Sequence, residues 1–410
     1  MMQAMRVCLI IPALLAVSAV PAAVQPLAFE DVVRNLRNPD PELRMSAVRL
    51  LRDAKYPEAL GPMVPLVNDP VNEIQLEALA AELAFFLVEE IPSRRKVAFF
   101  LEVRADGRAL RAFEMGPLVT WPTRPPPELV SALLKAIDDD DARVRLEALY
   151  TLGVIGAGAI GDPEAKQLIQ ALDHYDPAIR AGAARVIGRL GVTGAGEGLS
   201  KAMNDSNAEV RHASMRALGE IGDESAVQAL TDQLNYHGKG EGAWSALDAL
   251  ARIAHVSSVP VFQARLTDRD PRIRRAAAEG LGRTKEPSAL PLLREGASTD
   301  ESEMVRAAMA FGLKLLEEEH LVRLVDYMDS TRMTPQIQGY LLELGPSVVP
   351  ELFPRLVEPD ETTRESLVDI MGALGDESTI DAITPLLQDR NRDVVEAATH
   401  AIQRIKMRAQ

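Results

Sequence analysis

The feature that most constrains this chain is a self-similar block returning about every thirty residues. Take one arginine per block as the register: Arg44, Arg145, Arg180, Arg211, Arg274, Arg306 and Arg364. Gln75, Ala243, Thr334 and Val395 hold the same place in weaker copies. Most spacings are 28 to 35 residues, enough for two short helices and two turns. An apolar residue precedes the register by one position, and a small or apolar residue follows by three. Another apolar residue follows by seven, and glycine often by eight. The offsets of minus one, three and seven share one face of a helix that turns every 3.6 residues. The third position is alanine at Ala47, Ala78, Ala148, Ala183, Ala246, Ala277 and Ala398, which lets a neighbouring helix approach closely. A periodic series of this kind predicts a stack in which each helical pair buries its apolar stripe against the next.

The block boundaries agree. Aspartate stands four before the register at Asp40, Asp141, Asp176, Asp270 and Asp360, and Pro41, Pro177 and Pro271 follow three of them. Aspartate at the N-cap with proline at the first helical position starts a helix well. Gly222 and Gly375 are placed where a first helix ends, since glycine tolerates the left-handed exit. A second amphipathic helix follows, as at 225–234 and 378–387, with Pro65, Pro260, Pro291, Pro350 and Pro385 as starts or bends. The Asp and Arg series reads as a structural ladder of caps and inter-turn bonds.

The DPxxR, Ala and Leu-Gly pattern at 176–188 and 270–282 resembles the HEAT repeat family, in particular the short bacterial type named after phycobilisome lyase subunits. The resemblance covers nearly all of residues 30–405. It implies an all-α right-handed superhelix of about eleven units, first helices outside and second helices lining a concave surface. Some members are enzymes, and most bind proteins. HEAT-like hydroxylases that bind iron carry His-Glu pairs; this sequence has no His-Glu dipeptide, which counts against an oxidoreductase role.

The N-terminus reads as an export signal over residues 1–23. Arg6 is followed by an apolar run from Val7 to Val20, and Val20 and Ala22 fit the small positions before a cleavage site near Ala22 or Ala23. The run is shorter than the roughly 20 residues of a membrane span, and a short uncleaved anchor is the alternative. The single cysteine, Cys8, lies inside it, so the mature chain lacks a thiol nucleophile or ligand. The expected destination is the periplasm or the medium, with no membrane span in the mature chain. A net charge of -15 argues against nucleic acid as a partner, because phosphate binding depends on Lys and Arg.

One interval is too long: Gln75 to Arg145 spans 70 residues. The division read from the sequence is repeats over 28–88, an insertion over 89–126 and repeats over 127–410. Five of the nine phenylalanines fall between Phe85 and Phe113, and Trp121 is one of two tryptophans. Residues 97–103 favour a strand, and Asp106-Gly107 would turn it into a hairpin with 109–115. The expectation is a β-hairpin or irregular insertion; a second helix followed by a decayed repeat is the alternative. These aromatics either plug a gap in the stack or offer a ledge to a partner. For the ledge, Arg94, Arg95, Phe99, Phe100, Phe113 and Trp121 are the anchors, since aromatic and arginine side chains dominate interface energies.

Other motifs lack their context. Gly156–Gly161 matches GxGxxG but follows a helix rather than a strand. The acidic run Asp138–Asp141 lacks the ligand alternation of a calcium loop. No catalytic residue, cofactor or metal site is expected. The reading is an exported protein-binding scaffold without catalysis, whose partner is an unidentified protein or peptide. The alternatives are a metal- or tetrapyrrole-dependent enzyme of the lyase or hydroxylase type, and a self-associating envelope protein.

Overall fold

The computed structural model describes residues 28–89, 107–316, 319–330 and 332–409. The leader 1–23 therefore lies outside the described residues, as do 97–103, Arg94, Arg95, Phe99 and Phe100. The chain is an all-α solenoid. Eleven first helices are described, from Pro41–Ala54 and Asn72–Phe86 to Glu361–Leu374 and Arg392–Ala409. Neighbouring first helices pack on one another, and each second helix packs on the first helix of the next repeat.

The caps form as the sequence suggests. Asp40, Asp141, Asp176 and Asp270 each accept the backbone N–H two residues on, and Asp360 that of Thr363. The register arginines clamp successive repeats. Nε and Nη2 of Arg180 donate to the Asp205 carboxylate at 2.8 and 2.9 Å, and its Nη1 to the carbonyl of His174 at 2.8 Å. Arg44 grips Asp69, Arg274 grips Asp300 and Arg364 grips Asp389 in the same two-pronged way. Those aspartates also accept the N–H groups of Val71, Asn207, Ser302 and Asn391, which start the next first helix. One side chain thus fixes the turn between two repeats. Proline breaks several second helices: Leu60–Met63 gives way to a 3-10 turn at Val64–Asn68, and Glu377–Ile383 to Thr384–Gln388. The missing N–H and ring clash of Pro65 and Pro385 account for the change of pitch.

The glycine at the eighth position explains the curvature. It faces the sixth residue of the next first helix, which is alanine or glycine opposite Gly188, Gly219, Gly282 and Gly372. A Cβ on Gly219 would lie 2.7 Å from Ala249 Cα, and one on Gly372 2.8 Å from Ala401 Cα. A Cβ on Gly282 would overlap the Gly312 backbone. First helices therefore approach more closely than side chains of ordinary size would allow. Gly222 does take the left-handed exit at φ 68°, whereas Gly375 at φ -71° does not, so its expected role is corrected.

That close approach reverses the expected sidedness. Tyr340 Oη donates to Glu279 Oε1 at 2.5 Å, and Arg283 Nε and Nη2 donate to Glu343 at 2.7 and 2.9 Å. Both links run from helix Pro271–Arg283 to Thr334–Leu344, past the intervening helix Glu303–Leu315. Side chains span three successive layers only on the inside of a bend. The first helices line the concave face and the second helices the convex one.

The insertion lies between the first and second helices of its repeat, since Pro127–Ala136 follows it and packs on the second helix of the preceding repeat. Residues 109–115, expected as the second hairpin strand, belong to an α-helix, Arg108–Met115. Gly107 has φ -60° and precedes the helix instead of turning a hairpin. The buried Glu147 carboxylate accepts Ala109 N–H at 3.0 Å and so holds the helix N-terminus, where negative charge is favoured. Among the described residues, extended pairing is one isolated bridge, Leu87 with Thr120, at the base of the insertion. There Val88 N–H donates to Val119 O at 2.9 Å and Trp121 N–H to Phe86 O at 2.8 Å.

Gly282→Ala is expected to lower unfolding free energy by about 1–3 kcal/mol, the usual cost of overpacking a filled contact. Gly339→Ala, at a helical position with nothing within 4 Å of the added Cβ, is expected to raise it by about 0.5–1 kcal/mol. Urea unfolding of both variants checks the pair.

Candidate functional site

The concave face is written by two further rows of the first helices, five and nine residues after the register. They read Arg185 and Arg189, Arg216 and Glu220, Asp248 and Arg252, Glu279 and Arg283 in four successive repeats. Arg185 bonds Glu209 at 2.7 Å and the Tyr150 hydroxyl at 3.2 Å, and Arg252 bonds Asp248 at 3.0 Å. Burial pushes the Asp248 carboxyl up, but Arg252, Arg275 and Arg283 outweigh it and hold the group below the ordinary carboxylate range. Phe311 stacks on Tyr340 at 4.2 Å, and Gln336 donates to the Tyr340 hydroxyl at 2.7 Å. The face is thus a rail of mostly paired charges with aromatic rings between them.

The insertion crosses this face. Phe113 is buried, packs on Tyr150 with centroids 5.3 Å apart, and lies under the Arg189 guanidinium at 4.3 Å. Arg189 also donates to the Phe113 carbonyl at 2.8 Å; burial holds its pKa below the ordinary arginine value. Gly153 makes room for the ring, since a Cβ there would lie 2.9 Å from it. Phe113 therefore fills the stack and does not form an exposed ledge. A pocket of about 310 Å³ opens beside it, lined by Glu114, Arg185, Arg189, Ala213, Arg216 and Glu220. Arg216 lies over the Trp244 ring at 5.7 Å.

Trp121 sits at the other end of the crossing, half-buried, edge-on to His400 at 5.8 Å. Arg404 Nη2 donates to the carbonyls of Leu118 at 2.5 Å and Thr120 at 3.2 Å. The insertion thus joins the third and fourth first helices to the last. Of the six anchors proposed from sequence, the described two, Phe113 and Trp121, lie on the concave face but at opposite ends of one bridge.

Two other features resolve as structure. An outer groove of about 910 Å³ lies between second helices Pro127–Ala136 and Asp162–Gln170, edged by Asp138–Asp140 and Glu164. Its Asp139 is engaged by Gln75 Nε2 at 2.8 Å and by Asp141 N–H at 2.9 Å. Gly156–Gly161 is the loop from helix Ala142–Ile155 to Asp162–Gln170, with Gly158 at φ 71°.

Glu82 escaped sequence reasoning. It occupies the seventh position, which Leu, Ile or Met fills in the other ten repeats. Its side chain is fully buried, neither oxygen has a hydrogen-bond partner, and burial pushes its carboxyl up to about 9. The register contained this signal as one carboxylate in an aliphatic column.

A family model for HEAT repeats matches residues 165–239 and 236–314. Residues 165–314 thus carry HEAT repeats, in keeping with the resemblance read along the chain. An uncharacterized phycocyanin operon protein Z from Pseudanabaena tenuis (strain PCC 7409) is 28% identical over 167 residues, 38% of this chain and 80% of that protein. Three solved structures align at low scores. An engineered protein gives TM-score 0.39 at 19% identity, covering 92% of this chain and 98% of that one. The complex of CpcE and CpcF of phycocyanin lyase from Nostoc sp. PCC7120 gives 0.34 at 17%, covering 79% and 98%. Human deoxyhypusine hydroxylase gives 0.30 at 18%, covering 68% and 97%. The expectation of a chain without catalysis is corrected: the curated relative is a phycocyanin operon protein, which leaves a catalytic role open. Among the described residues no helix is long and apolar enough to cross a membrane.

Glu82 yields a test with a definite sign. The folded state holds the proton up to about pH 9, while the unfolded carboxyl releases it above its ordinary 4.5. Stability is therefore intact below about 4.5 and falls as pH rises toward 9. Glu82→Gln is expected to flatten that slope and Glu82→Leu to raise the midpoint most at alkaline pH. Thermal unfolding across pH checks both; a native curve that rises with pH over this window contradicts the assignment.

Proposed function

We propose that the chain is an exported binding scaffold that holds a segment of a partner protein on the concave face of the solenoid. The observation that carries this reading is the charged and aromatic rail of the first helices, opening into the pocket beside Phe113. Arginine and aromatic side chains in a concavity are the groups that anchor interfaces. Arg189 and Arg216 rest on aromatic rings, which fixes two guanidiniums without neutralising them. An acidic or hydrogen-bonding partner segment satisfies them. Export rests on the leader read in residues 1–23, with the periplasm or the medium as destination.

A second reading has its own support. The relative from a phycocyanin operon favours lyase-like handling of a tetrapyrrole-bearing protein. The same concave face would then hold the acceptor protein, and pigment co-purifying with the native chain would mark it.

Site-specific photo-crosslinking separates the two faces. A crosslinker at Arg216 is expected to give a defined adduct in native envelope fractions, while one at the exposed Asp232 of the second helix gives none. Adducts from position 232 alone contradict the concave site. N-terminal sequencing of the native protein is expected to begin just after Ala22 or Ala23; an intact Met1 contradicts a cleaved leader.

A further inference from the structure

The seam between the insertion and the last two repeats joins segments nearly three hundred residues apart. Its apolar content is small: Pro117–Val119 touches helix Glu361–Leu374, and Trp121 meets His400 edge-on. Two bonds from Arg404 to the insertion backbone hold it, and the Arg404 Nε beside them is buried without a partner. Below these contacts lies a cavity of about 380 Å³ whose walls come from both sides of the seam.

The charges lining that cavity are unbalanced. The insertion side contributes Glu89, with Met115, Leu118 and Val119 as apolar neighbours. Helix Glu361–Leu374 contributes Glu365 and Asp369. Helix Arg392–Ala409 contributes Asp393 and Glu396, with His400 and Arg404 as the cationic or titratable counterweight and Arg408 further along. Helix Arg108–Met115 brings only Met115 to the cavity. Five carboxyls thus face one arginine and one histidine, and Glu89 opposes the other four across the seam. His400 Nδ1 lies 3.6 Å from Glu89 Oε1, an attraction that exists only when the imidazole is protonated. Elsewhere the solenoid pairs its aspartates with arginines at 2.8 to 2.9 Å; of these five carboxyls only Glu396 has such a partner, Arg392 on its own helix at 2.8 Å.

We propose that this seam is a proton-operated clasp, closing the insertion onto the last two repeats in mildly acidic surroundings and releasing it in alkaline ones. Like charges across the seam oppose closure when all five carboxyls are ionised, and proton uptake removes the opposition. Burial, reinforced by Glu365 and Glu89, pushes Asp369 up to about 7, and burial with Asp393 and Glu89 raises Glu365. A carboxyl that holds its proton more firmly in the closed form makes closure take up protons. Closure is therefore favoured as pH falls through about 7 and lost as it rises. Because the insertion roofs the concave face, the clasp also sets access to the pocket beside Phe113. The clasp itself does not depend on what binds there.

The test measures the seam directly. Spin labels at Thr123→Cys and Thr399→Cys, both exposed and outside the cavity, are placed in the full chain with Cys8→Ser. Distance distributions are recorded between about pH 5 and about pH 9, a window that brackets the value of about 7 for Asp369. The expected result is a short, narrow distance at the acidic end and a longer, broader one at the alkaline end. Glu89→Gln with Asp369→Asn is expected to stay short throughout, and Arg404→Ala to be long throughout. Helix content by circular dichroism shows that each variant is folded; should Arg404→Ala not fold, the neutralised pair carries the comparison. A distance that does not change with pH, or a transition of the same size in the neutralised pair, overturns the proposal.

Discussion

The architecture depends on how closely one first helix approaches the next. Glycine at the eighth position of a repeat lies against alanine or glycine at the sixth of its successor, as in Gly219 on Ala249 and Gly282 on Gly312. Helix axes separated by side chains of ordinary size lie about 8–10 Å apart. Removing side chains from one face brings first helices together while second helices keep larger residues between them. The difference, repeated down the stack, is curvature. The concave rail, the contacts that skip a layer and the seam between the insertion and the last repeat all follow from it.

The clamps act differently. Each two-pronged Arg and Asp pair fixes the turn where one repeat hands over to the next, and the same aspartate starts the following first helix. Charged bonds of this kind contribute about 1.5–3 kcal/mol each when largely shielded from water. They give the stack its register, whereas the glycine seam gives it its bend. Where the clamp is lacking, as at Ala243 and Val395, the small-residue seam continues, because Ala249 and Ala401 keep the sixth position.

Much of this was legible in the amino-acid sequence. Spacing alone located eleven repeats, the aspartate caps and the buried alanines, because those residues answer to local geometry with one period. The choice of concave face was not legible, since Arg185, Glu220, Asp248 and Arg283 look like any solvated helical surface until curvature brings them together. The insertion was misread over 109–115 because its helix is held from outside, by Glu147 of the next repeat, and not by its own composition. Phe113 and Trp121 were correctly singled out as unusual, yet their burial and separation depend on helices 392–409 and 177–190, which no local pattern connects to them. Glu82 was visible in the aligned register and went unnoticed because the column was read for its rule and not its exception.

Solution X-ray scattering of the full chain at mildly acidic pH tests the curvature most directly. A straight stack of eleven layers at about 8–10 Å each would reach roughly 90–110 Å along its axis. The glycine seam predicts a clearly shorter maximum dimension, with a pair-distance distribution typical of a bent body. It also predicts lengthening when Gly219, Gly282 and Gly372 are all replaced by leucine. A native profile as long as the straight stack, or one unchanged by those replacements in a chain that keeps its helix content, would contradict the account.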